Sequence, residues 1–344
     1  MSSGVKIPAP DIFAQELAFE LGDVKKGDPR FPNMIRPQGP GGCSCEEIEK
    51  CYRDGVNVVN IYERYSGKDG SAIKPLGGGK SGAIVAFVWA KEPIAGQQKS
   101  TTILQRNEKA LLKTYEFDPT LAINGTDAAD KAGLQNSRPF REISFACRLS
   151  RIPGFPRVIQ WGFYDKTADG TKLAHPQPFL VTAAIDGIEL NSKELNLRDL
   201  SCQALKGILL QLLYAFGRAD AVLSGFIHND LHPGNIFLRK DPETGELLDV
   251  SQTVAIAGTY YTFRGPVVAL IDFDISRGAQ FPVSPITRFA NLLPEATLRL
   301  AQRYLGLSGA LNAELITKAI VNPDIRNWYV YFIIIVAVCA QRVA

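Results

Sequence analysis

The run Phe226-Ile227-His228-Asn229-Asp230-Leu231-His232-Pro233-Gly234-Asn235-Ile236 sets a carboxylate, Asp230, five residues ahead of a carboxamide, Asn235. Further on, an apolar stretch ends in Leu270-Ile271-Asp272-Phe273-Asp274. A carboxylate can receive or orient the proton of a hydroxyl, and carboxylate and carboxamide oxygens are ligands for a hard divalent cation. Phosphoryl transfer is a chemistry that needs both. Asn, Asp, Pro and Gly also make ordinary turns, which is the competing reading of the loop. Two of the chain's three histidines lie inside it, and an apolar strand closes on Asp-Phe-Asp; both weigh against turn chemistry alone.

A second pattern lies upstream. Gly77, Gly79 and Gly82 form Gly-x-Gly-x-x-Gly just before the β-rich run Ala83 to Ala90. Glycines between two strands let backbone amides approach phosphate oxygens closely. Gly79-Lys80-Ser81 also suggests a Walker A loop, but that motif needs a glycine where Lys74 stands and should open a helix rather than a strand. The bland alternative is a flexible hairpin tip.

These residues need a scaffold, and the chain can supply one. It has 344 residues, 46% of them apolar, enough for one large domain or two medium ones. Thirty-eight basic against 35 acidic side chains leave a net charge of +3, so bulk electrostatics gives no reason to expect a nucleic-acid partner. No basic-then-apolar secretory signal opens the chain, which predicts an intracellular, cytoplasmic or nuclear, protein. In that setting Cys43, Cys45 and Cys51 are expected as free thiols in a loop, since no fourth Cys or His lies near them to complete a zinc site. Trp328 to Ala340 is too short to span a bilayer and reads as a buried helix.

Residues 1–70, rich in Pro, Gly and charge, read as an N-terminal extension with a short helix near Glu46 to Asp54. Short apolar runs at Ala83 to Ala90, Ala110 to Phe117, Arg157 to Tyr164 and Phe179 to Ile185 read as strands of one antiparallel sheet, with a helix at Arg138 to Ser150. Beyond Gly187 the period turns helical: Leu205, Ile208, Leu209, Leu212, Leu213 and Phe216 fall on one face.

The Asp230 to Asn235 spacing and the later Asp272-Phe273 resemble the catalytic loop and metal-binding segment of protein kinases. The resemblance implies a two-lobed α+β fold: a first lobe at 71–183, an antiparallel sheet with one helix, and a mainly helical second lobe at 184–344. It also implies ATP and Mg2+ as cofactors, with Gly77, Gly79 and Gly82 over the phosphates and the adenine near Val181 to Ile185. Asp230 would orient the acceptor hydroxyl, and Asn235 and Asp272 would hold magnesium. Such a site needs a lysine for the phosphates and a helical glutamate to hold that lysine. Lys113 and Glu142 are the choices; Lys109 and Lys99 compete with Lys113, and Lys99 sits at a more usual distance from the glycines.

The departures are informative. Asn229 stands where arginine is usual, His232 where lysine is common, Asp274 where glycine closes Asp-Phe-Gly, and no Ala-Pro-Glu follows. Control by a phosphorylated activation loop is therefore not expected. Together with Ala184 to Leu190 and an insertion before Ile271-Asp272, these features look like haspin, a divergent Ser/Thr protein kinase; similar short kinases occur in large DNA viruses. The insertion is expected to hold a turn at Thr244-Gly245 and a strand at Val254 to Phe263. The implied activity is phosphorylation of protein Ser/Thr. The same loop also looks like aminoglycoside and choline kinases, although there the connection to the second metal Asp is usually short. A pseudokinase, a binding module on the same fold, is the third reading.

Overall fold

The computed structural model describes residues 43–45, 47–56, 58–78, 83–95, 102–120, 137–150, 152–190, 192–195, 200–223, 226, 228, 233–256, 259–273 and 276. They form an α+β structure built on a curled antiparallel sheet with few helices. In chain order the elements are α1 (Ile48–Arg53), α2 (Ile61–Arg64), β1 (Tyr65–Ser66), β2 (Pro75–Gly78), β3 (Ala83–Ala90), β4 (Ile94–Ala95), β5 (Thr102–Leu104), β6 (Lys109–Tyr115), α3 (Arg138–Leu149), β7 (Val158–Lys166) and β8 (Lys172–Ala183). There follow β9 (Gly187–Glu189), α4 (Cys202–Leu223), β10 (Ile236–Arg239), β11 (Asp249–Ile256), β12 (Thr259–Pro266) and β13 (Val268–Leu270).

The main sheet runs β1-β3-β6-β8-β7, with β2 also paired to β3. The four longer strands overlap the predicted apolar runs, although β8 begins seven residues before the expected Phe179 and ends at Ala183 rather than Ile185. Because strand side chains alternate between faces, Ala110 and Leu112 of β6 enter one core with Val88, Ala90, Ile159, Phe179 and Val181. Lys109, Leu111, Lys113 and Tyr115 share the opposite face. On that side lies the larger core, where Tyr115 and Leu180 join Trp161, Phe163, Phe140 and Ile143.

Helix α3 carries Pro139 in its first turn, where a missing N–H costs no intrahelical bond. It is buried on nearly every side, including at Phe140, Glu142, Ile143, Phe145 and Ala146. Such burial all round is what a helix sandwiched between layers requires; α3 touches β7 and β8, α1 and α4.

The described residues between 43 and 70 are built into this body. Val59 N donates to Phe163 O (2.7 Å) at the β7 edge, and β1 pairs with Trp89 and Ala90. The sheet thus begins before the expected boundary at 70. Helix α1 buries Ile48 and Cys51 in the larger core, while the Tyr52 ring packs on Phe117, Phe140 and Phe163 at 5.5, 5.5 and 5.2 Å. The cysteine expectation is corrected here: Cys43 and Cys51 form a disulfide, with Cα atoms 6.3 Å apart, and Cys45 stays a thiol. The chain turns into α1 just after Cys45, which brings Cys43 back beside the buried face of the helix.

Downstream, α4 covers the expected helical stretch; of its predicted face Ile208 and Leu212 are buried, Leu205, Leu209, Leu213 and Phe216 have side chains outside the described residues, and Ala215, Ala219 and Leu223 extend the buried stripe. A small antiparallel sheet, β13-β10-β9, lies close by. Gly187 lets β9 approach it: a Cβ there would sit 2.7 Å from the Leu238 carbonyl oxygen. The expected single strand at Val254 to Phe263 is instead part of a ribbon, β11 paired antiparallel with β12. Ala257-Gly258 breaks what reads in sequence as one continuous apolar and aromatic run. Buried Gln211 of α4 ties this ribbon to β13, donating to Pro266 O (2.8 Å) and accepting from Val268 N (3.0 Å).

Among the described residues, no helix is long and apolar enough to cross a membrane. The apolar run Trp328 to Ala340 lies outside them, as do any further helices of the second half.

Candidate functional site

β6 and α3 bring Lys113 and Glu142 together. The Lys113 Nζ lies 2.7 Å from Glu142 Oε1 and 3.0 Å from Asp272 Oδ1, so one ammonium bridges a helix carboxylate and a carboxylate from just beyond β13. The three differ in burial: the Glu142 side chain is 4% exposed, Lys113 14% and Asp272 36%. Burial opposes the Lys113 charge, but Glu142 and Asp272 outweigh it by charge and hydrogen bonding and hold the ammonium above the ordinary lysine range. Burial raises the Glu142 carboxyl as well; Lys113 and a hydrogen bond involving the Tyr115 side chain pull it back only in part. The Tyr115 ring lies under the same ammonium, 5.8 Å from Nζ to centroid.

Asp272 has an unusual backbone. Its φ is +66°, the left-handed region that residues other than glycine seldom adopt. Neighbouring bonds fix the chain on both sides of it. Ile271 N donates to Asn235 O (3.1 Å), continuing the ladder in which Ile236 opposes Leu270. The ring of His228 is buried, and its Nε2 sits 3.0 Å from Ile271 O. A carbonyl can only accept, so Nε2 carries the proton in this contact. On the far side the Phe273 ring packs on His228 at 5.3 Å and on Phe155 at 5.4 Å. Asn235 itself is buried.

Of the residues singled out in sequence, Lys113, Glu142 and Asp272 are thus in direct contact, and Asn235 joins them through Ile271. Gly77 lies in β2 opposite Val85, at the entrance to the glycine run. Lys109, the competitor on the same strand, points elsewhere in function: it pairs with Asp186 at 2.9 Å and lies 4.0 Å over the Phe87 ring. Asp230, His232, Asp274, Gly79, Gly82 and Lys99 lie outside the described residues. Val181 is buried in the core on the other face of the sheet, while Thr182 and Ala183 are half-buried.

Two contributors had no sequence signal. Tyr115 reads simply as a strand aromatic, and Ser276 carries no motif, yet its hydroxyl donates to His228 O at 3.0 Å. The Asp272 carboxylate is partly open, whereas Asn235 is buried and meets this segment through its backbone carbonyl; both side chains carry oxygens of the kind a hard metal ion takes, and among the described residues no cluster of three or more His, Cys, Asp or Glu could hold a metal.

No family model and no curated protein matches this chain. The case for the site therefore rests on its residues and their geometry.

Proposed function

We propose that this chain is an ATP- and magnesium-dependent phosphotransferase with a two-lobed, protein-kinase-like fold, acting on Ser or Thr hydroxyls of a protein substrate. The observation that carries the reading is Lys113, held at once by the buried Glu142 and by Asp272. A buried carboxylate that fixes a lysine, next to a second carboxylate left partly open, is what positioning a polyphosphate requires.

In this reading Lys113 contacts the phosphates, and Glu142 orients it from α3. Gly77, Gly79 and Gly82 bring backbone amides to the phosphates between β2 and β3. Asp230 orients the acceptor hydroxyl. Asn235 and Asp272 would hold magnesium, which when bound neutralises charge on the phosphate oxygens. His228 supports the loop by its bond to Ile271 O and does not transfer protons. The separation of Asn235 from Asp272, 37 residues by number and filled by the β11–β12 ribbon, favours a protein-kinase branch over a small-molecule kinase.

The test is transfer of radiolabelled γ-phosphate from Mg-ATP by the full chain, compared with Asp230→Ala. The panel contains generic protein substrates together with aminoglycosides and choline. Label on protein Ser or Thr that disappears in the variant is the expected result. Label confined to small molecules would move the chain to the aminoglycoside and choline kinase class. Absence of both label and Mg-ATP binding would make it a binding module.

A further inference from the structure

Asp272 holds a backbone conformation that costs free energy in a residue bearing a Cβ. Such a conformation persists only where its surroundings over-determine it, and here the surroundings converge on His228. Before Asp272, the His228 ring donates from Nε2 to Ile271 O (3.0 Å). After it, Ser276 Oγ donates to His228 O (3.0 Å), and Ser276 N to Phe273 O (3.1 Å). Ser276 is fully buried and His228 nearly so, and the Phe273 ring packs against His228. One residue thus grips the chain on both sides of Asp272, and the Ser276 hydroxyl supplies the second grip.

We infer that Ser276 is a positioning residue: through the His228 carbonyl it locks the turn after Asp272, so that the Asp272 carboxylate faces Lys113 before any ligand arrives. The geometry gives the direction of the effect. With the hydroxyl, the chain following the left-handed Asp272 is held by a side chain already in place and needs no added phosphate to order it. Without it, Asp272 can relax to an ordinary φ, which turns its carboxylate away from Lys113. The consequence for metal binding rests on the proposed function; the lock itself does not.

The experiment uses the full-length chain, wild type and Ser276→Ala, with Ser276→Thr to restore a hydroxyl. The first readout needs no ligand: hydrogen exchange at the amides of Ile271 and residue 276, against the β3 and β6 amides as an internal reference. Ser276→Ala is expected to speed exchange at both positions about tenfold, the factor for one hydrogen bond of ordinary strength, and to leave β3 and β6 unchanged. The second readout is the magnesium concentration giving half-maximal binding of ATP. It is expected to rise about tenfold in Ser276→Ala and to return toward wild type in Ser276→Thr, while ATP binding without metal stays the same. Uniformly faster exchange across the whole protein would make Ser276 a general packing residue and overturn the inference. So would unchanged exchange at Ile271 and residue 276, or magnesium dependence identical in wild type and Ser276→Ala. If the wild type binds no Mg-ATP, the proposed function falls, and the exchange data alone decide the lock.

Discussion

Two lysines on one face of β6, four residues apart, meet acidic partners at nearly the same distance and in different surroundings. Lys109 pairs with Asp186 at 2.9 Å, with the two side chains 33% and 47% exposed. Lys113 pairs with Glu142 at 2.7 Å, at 14% and 4%. At the first site water can take either charge back if the pair opens. At the second it cannot, because α3 and its packing exclude water from Glu142. The difference teaches that distance alone says little about what an ion pair contributes; whether the partners can be solvated separately decides it.

The largest test removes the buried cation. Lys113→Met is expected to lower stability in urea unfolding by about 3 kcal/mol, since it strands Glu142 without its counter-charge. Phosphoryl transfer should fall by about 10²-fold or more. Adding Glu142→Leu removes the stranded charge, so the double variant should regain most of the lost stability and none of the activity. That outcome would separate the structural role of the pair from its chemical one. A single variant as stable as wild type would erase the contrast with Lys109.

A second test acts on what keeps Glu142 dry. Phe140, two residues before it on α3, packs on Tyr52 of α1, and α1 is tied to the preceding loop by Cys43–Cys51. Opening that short loop with Cys43→Ser is expected to lower stability by roughly 2 kcal/mol, the order given by loop-closure entropy. Urea unfolding of the variant beside dithiothreitol-reduced wild type is the check; the two should agree. Glu142 should then exchange its isolation for partial solvation, and the Lys113 end of β6 should come to resemble the Lys109 end.

The pH dependence sharpens the comparison further. Lys113 and Glu142 are both shifted upward, so the folded chain holds their protons more tightly than the unfolded one. Their linked stability is full below the unfolded pKa values and declines as pH rises through the folded ones. For Lys113 the decline starts only above about pH 10.4. For Glu142 it starts above about pH 4.3, and Lys113 limits it. Lys113→Met removes that limit and leaves the burial. Its stability should therefore fall more steeply as pH rises above the ordinary carboxyl range, because burial alone then holds the Glu142 proton. Wild type should fall less over the same rise in pH, and denaturation curves at several pH values would show it.

The strands were legible because short apolar runs rich in β-branched and aromatic residues, bounded by glycine or polar clusters, read as strands, as Ala83 to Ala90 does; being apolar at every position, it does not tell which side chains the fold buries. The choice among lysines was not legible from alternation. Lys109 and Lys113 have the same parity on β6, so they share a face, and only the placement of α3 against one end of the strand tells them apart. The disulfide was hidden for a similar reason: a spacing of eight residues means nothing until α1 fixes which way Cys51 points. Ser276 lies 48 residues from His228 and meets it through a backbone carbonyl, which no side-chain pattern records. The ribbon was misread because Ala257-Gly258 is a weak turn signal inside an apolar and aromatic run. Asp230, the carboxylate on which the sequence argument leans hardest, lies outside the described residues, so its place beside Lys113 belongs to the proposal.

The smallest expected effect is the one that completes the contrast. Lys109→Ala should cost no more than about 0.5 to 1 kcal/mol, the range of a solvent-exposed pair with some cation–π support from Phe87. Salt separates the two contributions within that small sum. The Asp186 attraction acts through water and should be largely screened in about 1 M NaCl, where the Debye length is roughly 3 Å, whereas contact of the ammonium with the Phe87 face is screened less. A double-mutant cycle of Lys109→Ala with Asp186→Asn, run in urea at low and high salt, should give a coupling near zero in the salty arm. Coupling that survives high salt would mean that Lys109 is shielded from water much as Lys113 is. The contrast would then lie in the helix partner of Lys113 rather than in solvent access.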